Sequence, residues 1–317
     1  MAEAGRSDTP KVLVTDCRFA NLAIEQELLG SRGIRVEKAS SAREATLVAE
    51  AADADVLMVQ RAHVPASVIQ AMVHGKGIVR YGSGMDSVDL EAAQARGIEV
   101  AGVLDYGTAQ VASHALALIL AAVRRLPSLD HIVRSGGWDF TAVRPIYHFH
   151  EQTVGLVGFG RIGRGTARML AALGFQVLVY DPYVSDGAAA AAGYAVAGSV
   201  AEVLAASDVV SLHLPWTPET HHLIGREQLA AMKPHAWLVN VSRGKLVDQA
   251  ALVEALRDHV IGGAAIDVYE QEPPRADEPL FALPNVMLTP HIAWYSEHSE
   301  RDLRTQACEH VLRILGR

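Results

Sequence analysis

Residues 153–181 read TVGLVGFGRIGRGTARMLAALGFQVLVYD, the most informative segment of the chain. It reads as an apolar strand, a glycine-rich turn, an amphipathic helix and a second apolar strand that ends in an acid. Each part has a physical task when the ligand is a dinucleotide. Gly158 permits a tight turn. Gly160 carries no Cβ, so a pyrophosphate can approach the backbone. Gly163 lets the helix pack closely on the strand. Arg161 and Ile162 complete the turn, and the helix N-terminus offers free N–H groups and partial positive charge to phosphates. Asp181 can accept hydrogen bonds from both hydroxyls of the adenosine ribose. Its charge would repel a 2′-phosphate, and the following Pro182 and Tyr183 supply no cation, so NAD is favoured over NADP.

Similar patterns extend in both directions. On the C-terminal side, VVSLHLP (209–215), AWLVNVS (236–242) and GGAAIDV (262–268) are near-continuous apolar runs. Such runs belong to parallel sheets covered by helices on both faces. VMLTP (286–290) is a candidate sixth strand, and AAAAAG (188–193) reads as an Ala-rich connection or a short helix. On the N-terminal side, KVLVTD (11–16), DVLMV (55–59), GIVRY (77–81) and IEVAG (98–102) alternate with helical stretches such as 42–52 and 89–97. That alternation indicates βαβ units. A long Ala/Leu helix is predicted over 108–126, stopping at Pro127, and an amphipathic helix over 296–315. The predicted class is α/β with two doubly wound parallel sheets. Residues 104–291 form one domain, and residues 1–103 with 292–317 form a discontinuous second.

A chain of 317 residues, half of them hydrophobic, exceeds one typical core. The net charge of −8 comes without any block of Lys and Arg, so nothing favours a nucleic-acid partner. Cys17 and Cys308 lie far apart in sequence and fit a reducing compartment. The opening MAEAGRSDTP is polar and reads as a frayed tail. The most apolar run, VASHALALILAAV (111–123), is too short to span a bilayer. These features predict a soluble, cytoplasmic protein without a membrane partner, and no metal site is expected.

In open α/β sheets ligands bind beyond the carboxyl ends of the strands. Here those ends carry Pro215-Trp216-Thr217, Ser242-Arg243-Gly244, DVYEQE (267–272) and His291. A nicotinamide reaction on a small acid needs a proton donor beside the carbonyl, a cation for the carboxylate and a fixed geometry. Arg243 offers a planar fork that matches a carboxylate, although an ion pair at a turn would use the same residue. His291 could pass a proton to a keto oxygen or take one from a hydroxyl. With 14 histidines in the chain, most are structural or solvated, and only its place at a strand end singles this one out. A neighbouring carboxylate would favour its imidazolium form. Glu270, Glu272, Asp277 and Glu278 all lie near in sequence, and spacing does not choose among them.

GFGRIG (158–163), NVSRGKLVD (240–248), GGAAIDVYEQEP (262–273) and TPHIAWYSE (289–297) stand in a characteristic order and spacing. In these motifs the chain resembles the D-isomer-specific 2-hydroxyacid dehydrogenases, from Val12 to its last residues. Within that family IVRYGSGMD (78–86), YDPYVSDG (180–187), HHLI (221–224) and HIAWYSE are similar to the C-terminal-binding-protein group. The resemblance implies two Rossmann-like domains with the active site in the cleft between them. It assigns catalysis to Arg243, Glu272 and His291. Glu272 is chosen over Glu270 because the family uses the acid immediately before the Pro of its DVxExEP pattern. It adds Leu214, Pro215, Thr217, Thr220, Val241 and Ser242 to the cofactor residues and puts Asp267 near the nicotinamide. Backbone amides of Ser83, Gly84 and Met85 would hold the substrate carboxylate, Arg80 would be a second cation, and Trp294 an apolar wall.

The activity so implied is NAD-dependent reduction of a small 2-keto acid to a D-2-hydroxy acid. Glyoxylate, hydroxypyruvate and larger 2-keto acids are candidates. Phosphoglycerate is less favoured, because only Arg61, His63 and Arg80 are plausible cations of the first domain. The alternative from another class is an NAD(H)-sensing, corepressor-like binding protein. TAQVASHA (108–115) departs from the family, with Ala109, Gln110 and Ser113 where relatives often carry acids, which implies altered cofactor-side or interdomain polar contacts. The segment 136–152 approaches either the cleft or a partner subunit. The 108–126 helix is expected to form a homodimer face as well as a hinge.

Overall fold

A computed structural model describes residues 9–183 and 186–317. Residues 1–8 of the predicted tail and residues 184–185 of the YDPYVSDG motif lie outside the described residues. The chain divides into two compact units, one of Met1–Gly107 with Ser296–Arg317 and one of Thr108–Tyr295.

The first unit is built on a five-stranded parallel sheet. In chain order it runs β1 (Lys11–Val14), α1 (Ala23–Gly30), β2 (Arg35–Lys38), α2 (Glu44–Glu50), β3 (Val56–Val59), α3 (Ala66–Ala71), β4 (Gly77–Arg80), α4 (Leu90–Ala95) and β5 (Glu99–Gly102). The strand order is β2-β1-β3-β4-β5. β1 and β3 are buried along their whole length, as the apolar runs predict. β2 escapes a hydrophobicity reading because its sequence is RVEK with both ends exposed. An edge strand buries little and is commonly blunted by charge.

The second unit opens with two helices, α5 (Thr108–Val123) and α6 (Leu126–Arg134). The predicted single helix breaks at Arg125, which turns left-handed at φ 55°. Pro127 therefore starts a helix instead of stopping one, the position where its missing N–H costs nothing. Then follow β6 (Thr153–Val157), α7 (Arg161–Ala172), β7 (Gln176–Tyr180), α8 (Asp186–Ala191), β8 (Ala195–Val196), α9 (Val200–Ala206), β9 (Val209–Leu212), α10 (Arg226–Ala230), β10 (Trp237–Asn240), α11 (Gln249–Arg257), β11 (Gly263–Ile266) and β12 (Val286–Leu288). The seven strands are parallel in the order β12-β11-β10-β9-β6-β7-β8. The candidate sixth strand is thus the sheet edge β12. The order reverses between β6 and β9, which creates a crevice at their carboxyl ends. α7 buries Gly163, Thr166, Ala167 and Leu170, the one-sided stripe of a helix lying on a sheet. α5 lies close against α7, where a Cβ on Gly165 would sit 3.2 Å from that of Ala112.

The chain then returns to the first unit as α12 (Glu297–Leu315). Ser296 caps it, accepting the Ser299 N–H at 3.0 Å. Gly77 on β4 makes room for it, since a Cβ there would meet the Ile314 side chain at 2.7 Å. A buried ion pair fixes its angle. Arg304 donates to both oxygens of Glu25 on α1 at 2.9 and 2.7 Å, and Glu25 also accepts the Tyr81 hydroxyl at 3.0 Å. Removing one partner of such a pair costs roughly 3–5 kcal/mol, because the other charge is left buried alone.

Candidate active site

The glycine-rich turn joins β6 to α7 in the second unit. Gly158 takes φ +102°, and a Cβ there would lie 2.5 Å from the His213 carbonyl oxygen. A Cβ on Gly163 would overlap the Gly158 carbonyl. Both positions are thus closed to side chains by the protein itself. Gly160, the N-cap of α7, differs: a Cβ there meets nothing within 4 Å. The open space lies above the first turn of a 12-residue helix, where N–H groups and the helix dipole favour a phosphate. Asp181, just past β7, holds the turn from the other side, accepting from Phe159 N–H at 2.7 Å and Tyr183 N–H at 2.9 Å. The residues therefore fit a dinucleotide.

Several other residues assigned to the cofactor turn their polar atoms inward. Thr217 and Thr220 cap one another around the short helix Pro218–Thr220, with Thr217 N–H donating to Thr220 Oγ1 at 2.7 Å. Ser242 donates to the Leu212 carbonyl at 2.7 Å. Val241 is buried, whereas Leu214 is half-buried and Pro215 exposed beside the Gly158 turn. His213, which the sequence reading passed over, lies beneath the same turn. Burial pushes its pKa down to about 4, so the ring is neutral, with Nε2 3.0 Å from Ser211 Oγ.

The acid/base candidates gather around a buried carboxylate. Asp267 follows β11 and is 0% exposed. It accepts the Thr289 hydroxyl at 2.6 Å and the N–H groups of Ile292 and Ala293 at 2.9 and 3.0 Å. Its own carbonyl takes the N–H of His291 at 2.7 Å. The carboxylate expected near the nicotinamide thus braces the turn that carries His291. His114 of α5 joins the same hub, with Nε2 3.2 Å from Thr289 Oγ1. No sequence signal separated it from the helix core. His291 itself adopts φ 56°, a left-handed conformation uncommon outside glycine that the surrounding bonds enforce.

His291 Nδ1 stands 2.7 Å from Glu272 Oε2, and the other Glu272 oxygen accepts the Tyr269 N–H at 3.1 Å. This contact fixes the ring through Nδ1. The four acids that spacing could not separate have four different partners. Glu272 takes His291, Glu270 takes His222 at 2.7 Å, Asp277 takes Arg275 at 2.9 Å, and Glu278 takes Gln249 at 2.8 Å. Burial, and after it the adjacent charges of Asp267 and Glu272, push the Tyr269 hydroxyl up to about 12, so it stays protonated.

Arg243 projects from a turn shaped by Asn240. That buried amide donates to the Arg243 carbonyl at 2.8 Å and accepts from Ser242 N–H at 3.1 Å. The guanidinium donates to the Ser242 carbonyl at 2.8 Å. The next residue has to be glycine: a Cβ on Gly244 would overlap the Tyr269 carbonyl group. The Arg243 turn therefore lies directly on the loop that carries Glu272. Trp294 is half-buried beyond His291, edge-on to Tyr295 at 5.7 Å.

The remaining assigned residues belong to the first unit, beyond the end of β4. Arg80 donates to the Tyr81 carbonyl at 3.2 Å. Gly82 takes φ +138° and accepts the Val103 N–H at 3.1 Å. Ser83 is exposed, and Gly84 and Met85 are half-buried. A Cβ on Gly102 would lie 2.8 Å from the Gly82 carbonyl oxygen, so β5 and this loop pack closely through glycine.

A strand-end histidine braced by a buried carboxylate, in the same unit as a dinucleotide turn, is the arrangement expected of a nicotinamide-dependent oxidoreductase. Residues 116–293 match the NAD-binding domain of the D-isomer specific 2-hydroxyacid dehydrogenases. The chain belongs to that family. It is 37% identical over 306 residues to D-3-phosphoglycerate dehydrogenase of Methanocaldococcus jannaschii, covering 96% of this chain but only 57% of that relative. The chain thus spans little more than half the length of that protein. Among solved structures it is similar to D-lactate dehydrogenase from Aquifex aeolicus complexed with NAD and lactic acid, at 28% identity and a TM-score of 0.86 over 96% of both chains. It is also similar to an NADPH-dependent glyoxylate/hydroxypyruvate reductase from Sinorhizobium meliloti in complex with NADP and malonate. There the identity is 30%, the TM-score 0.84, and the coverage 96% of this chain and 93% of that one.

Proposed function

We propose that this protein reduces a small 2-keto acid to a D-2-hydroxy acid with NADH, and runs the reverse oxidation with NAD. The observation that carries the reading is the 2.7 Å contact of His291 with Glu272, on a loop that also supports the Arg243 turn. When bound, NADH supplies the hydride. His291 gives its Nε2 proton to the carbonyl oxygen as charge develops there, and Glu272 holds the imidazolium that precedes the transfer. Arg243 binds the carboxylate and the carbonyl oxygen with its planar fork. Asp267 keeps the His291 turn in place, and Trp294 bounds the pocket on its apolar side. In the first unit, the amides of 83–85 and Arg80 are the residues we assign to the substrate carboxylate.

NADH is preferred in this reading because the charge of Asp181, just past β7, would repel a 2′-phosphate, and Pro182 and Tyr183 supply no cation. The test is absorbance at 340 nm with glyoxylate, hydroxypyruvate, longer 2-keto acids and 3-phosphohydroxypyruvate, each with NADH and with NADPH. Turnover of an unphosphorylated acid, faster with NADH, is expected. Preference for the phosphorylated substrate would align the chain with its M. jannaschii relative. Tight NADH binding without any turnover would favour the binding-protein alternative that the C-terminal-binding-protein likeness raises.

The partner is a second copy of the chain in this proposal. The apolar stripe of α5 that the sequence offered for this role is spent in the core: Ala112, Ala115, Leu118, Ile119, Ala122 and Val123 are all buried. The exposed apolar surface follows it, on α6 and the loop beyond, with Leu126 52%, Val133 52%, Trp138 89% and Phe140 59% exposed. Contiguous apolar patches of this kind commonly mark association sites. Light scattering at micromolar concentration should give a dimer, and Trp138→Glu with Val133→Lys a monomer. A monomeric unmodified protein would refute the assignment.

A further inference from the structure

We infer that Glu270 and His222 are positioning residues that hold the Arg243 turn against the Glu272 loop. This rests on the proposed role of Arg243. Glu270 stands two residues before Glu272, where an acid with no function would be solvated. Instead its Oε1 lies 2.7 Å from His222 Nε2, and its backbone N–H is taken by the Gln249 side chain at 3.1 Å. His222 holds the far side of the same turn. Its N–H donates to the Lys245 carbonyl at 2.9 Å, and Ile224 N–H donates to the Leu246 carbonyl at 3.0 Å. The 222–224 strip is thus a rail for the residues just after Arg243. It adopts a costly backbone to do so, since His222 has φ 52°.

The same pair reaches a third strand end. The His222 ring stacks on His221 at 3.9 Å, and His221 Nδ1 accepts from Trp216 Nε1 at 3.3 Å. The Lys245 ammonium lies 4.9 Å from the centre of the Trp216 ring, a cation–π contact back to the Arg243 turn. Loops following β9, β10 and β11 are therefore tied by one cluster. The close contact at Gly244 keeps the loops after β10 and β11 together, but packing alone supplies no bond along the turn. The His222–Glu270 contact supplies it. Releasing the pair leaves the His291–Glu272 contact intact and lets the Arg243 fork swing, so substrate binding should weaken more than proton transfer.

The experiment compares His222→Ala, Glu270→Ala, their double variant and the conservative His222→Gln. Each alanine variant should raise KM for the 2-keto acid roughly five- to tenfold, with kcat within about twofold. The double variant should be no worse than either single one, because the two act as a unit. His222→Gln, which can still donate to Glu270, should recover most of the loss. NADH affinity by fluorescence should not move. If the alanine variants do not fold, Glu270→Gln and His222→Gln take their place, with the smaller KM rise in His222→Gln. Unchanged KM with a lowered melting temperature would show a purely structural pair and overturn the proposal. So would losses that multiply in the double variant, or NADH affinity falling in step with KM. Absence of turnover in the unmodified protein would instead sink the dehydrogenase reading. Oxamate binding to the NADH-loaded protein then makes the same comparison without turnover, and equal oxamate affinity across the set, or none at all, overturns the positioning role.

Discussion

His291→Ala is expected to lower kcat about 10²–10⁴-fold while NADH still binds. The size follows from what the ring does: it is the proton source for an oxygen that gains charge as hydride arrives. Without it the proton comes from water, poorly placed. The cofactor should remain bound because the Gly158–Gly163 turn and Asp181 make no contact with His291 among their described bonds. Glu272→Gln should cost less, since an amide oxygen can still accept from Nδ1 but no longer balances the imidazolium charge. Stopped-flow traces with NADH and fluorescence titration separate the two quantities. A fall in NADH affinity matching the fall in rate would place His291 in cofactor binding and not in proton transfer.

Asp267→Ala has the second large expected effect, and its character differs. The carboxylate is fully buried and satisfies the Thr289 hydroxyl and the N–H groups of Ile292 and Ala293. Alanine leaves all three donors without that acceptor. The expected loss is roughly 3–5 kcal/mol of stability, the range for orphaned buried partners. Turnover should fall too, because the His291 turn loses its brace. Asp267→Asn retains one carbonyl oxygen and should fall between. Calorimetry and the 340 nm assay together decide the case. A protein as stable as the unmodified one but inactive would mean that Asp267 touches the cofactor directly and does not act through the turn.

The parts legible in the sequence are those with a one-dimensional signature. Apolar runs gave β6, β7, β9, β10 and β11, and the Gly158-x-Gly160-x-x-Gly163 spacing gave the cradle, because strand burial and backbone approach dictate local residue types. β2 was missed because an RVEK edge strand is buried on neither face. The break at Arg125 was missed because Ala/Leu periodicity continues through it, and only tertiary packing selects the left-handed turn. Among the site residues, choosing Glu272 over Glu270 required the family resemblance, since both acids flank one residue. Their different histidine partners are a property of three-dimensional contact. His114 and Asn240 were invisible for the same reason: each serves a turn through residues distant along the chain or hidden in a strand end.

The return of α12 to the first unit has a consequence for biosynthesis. All of Thr108–Tyr295 must emerge from the ribosome before Arg304 can reach Glu25. The second unit is continuous in sequence and can complete its sheet as it is made. The first begins earlier and finishes later. In the interval Glu25 is a carboxylate without its guanidinium, and the Gly77 groove on β4 lacks the helix that fills it. The earliest-synthesised unit is therefore the last to close, and it is the part of the nascent chain with most to gain from a chaperone.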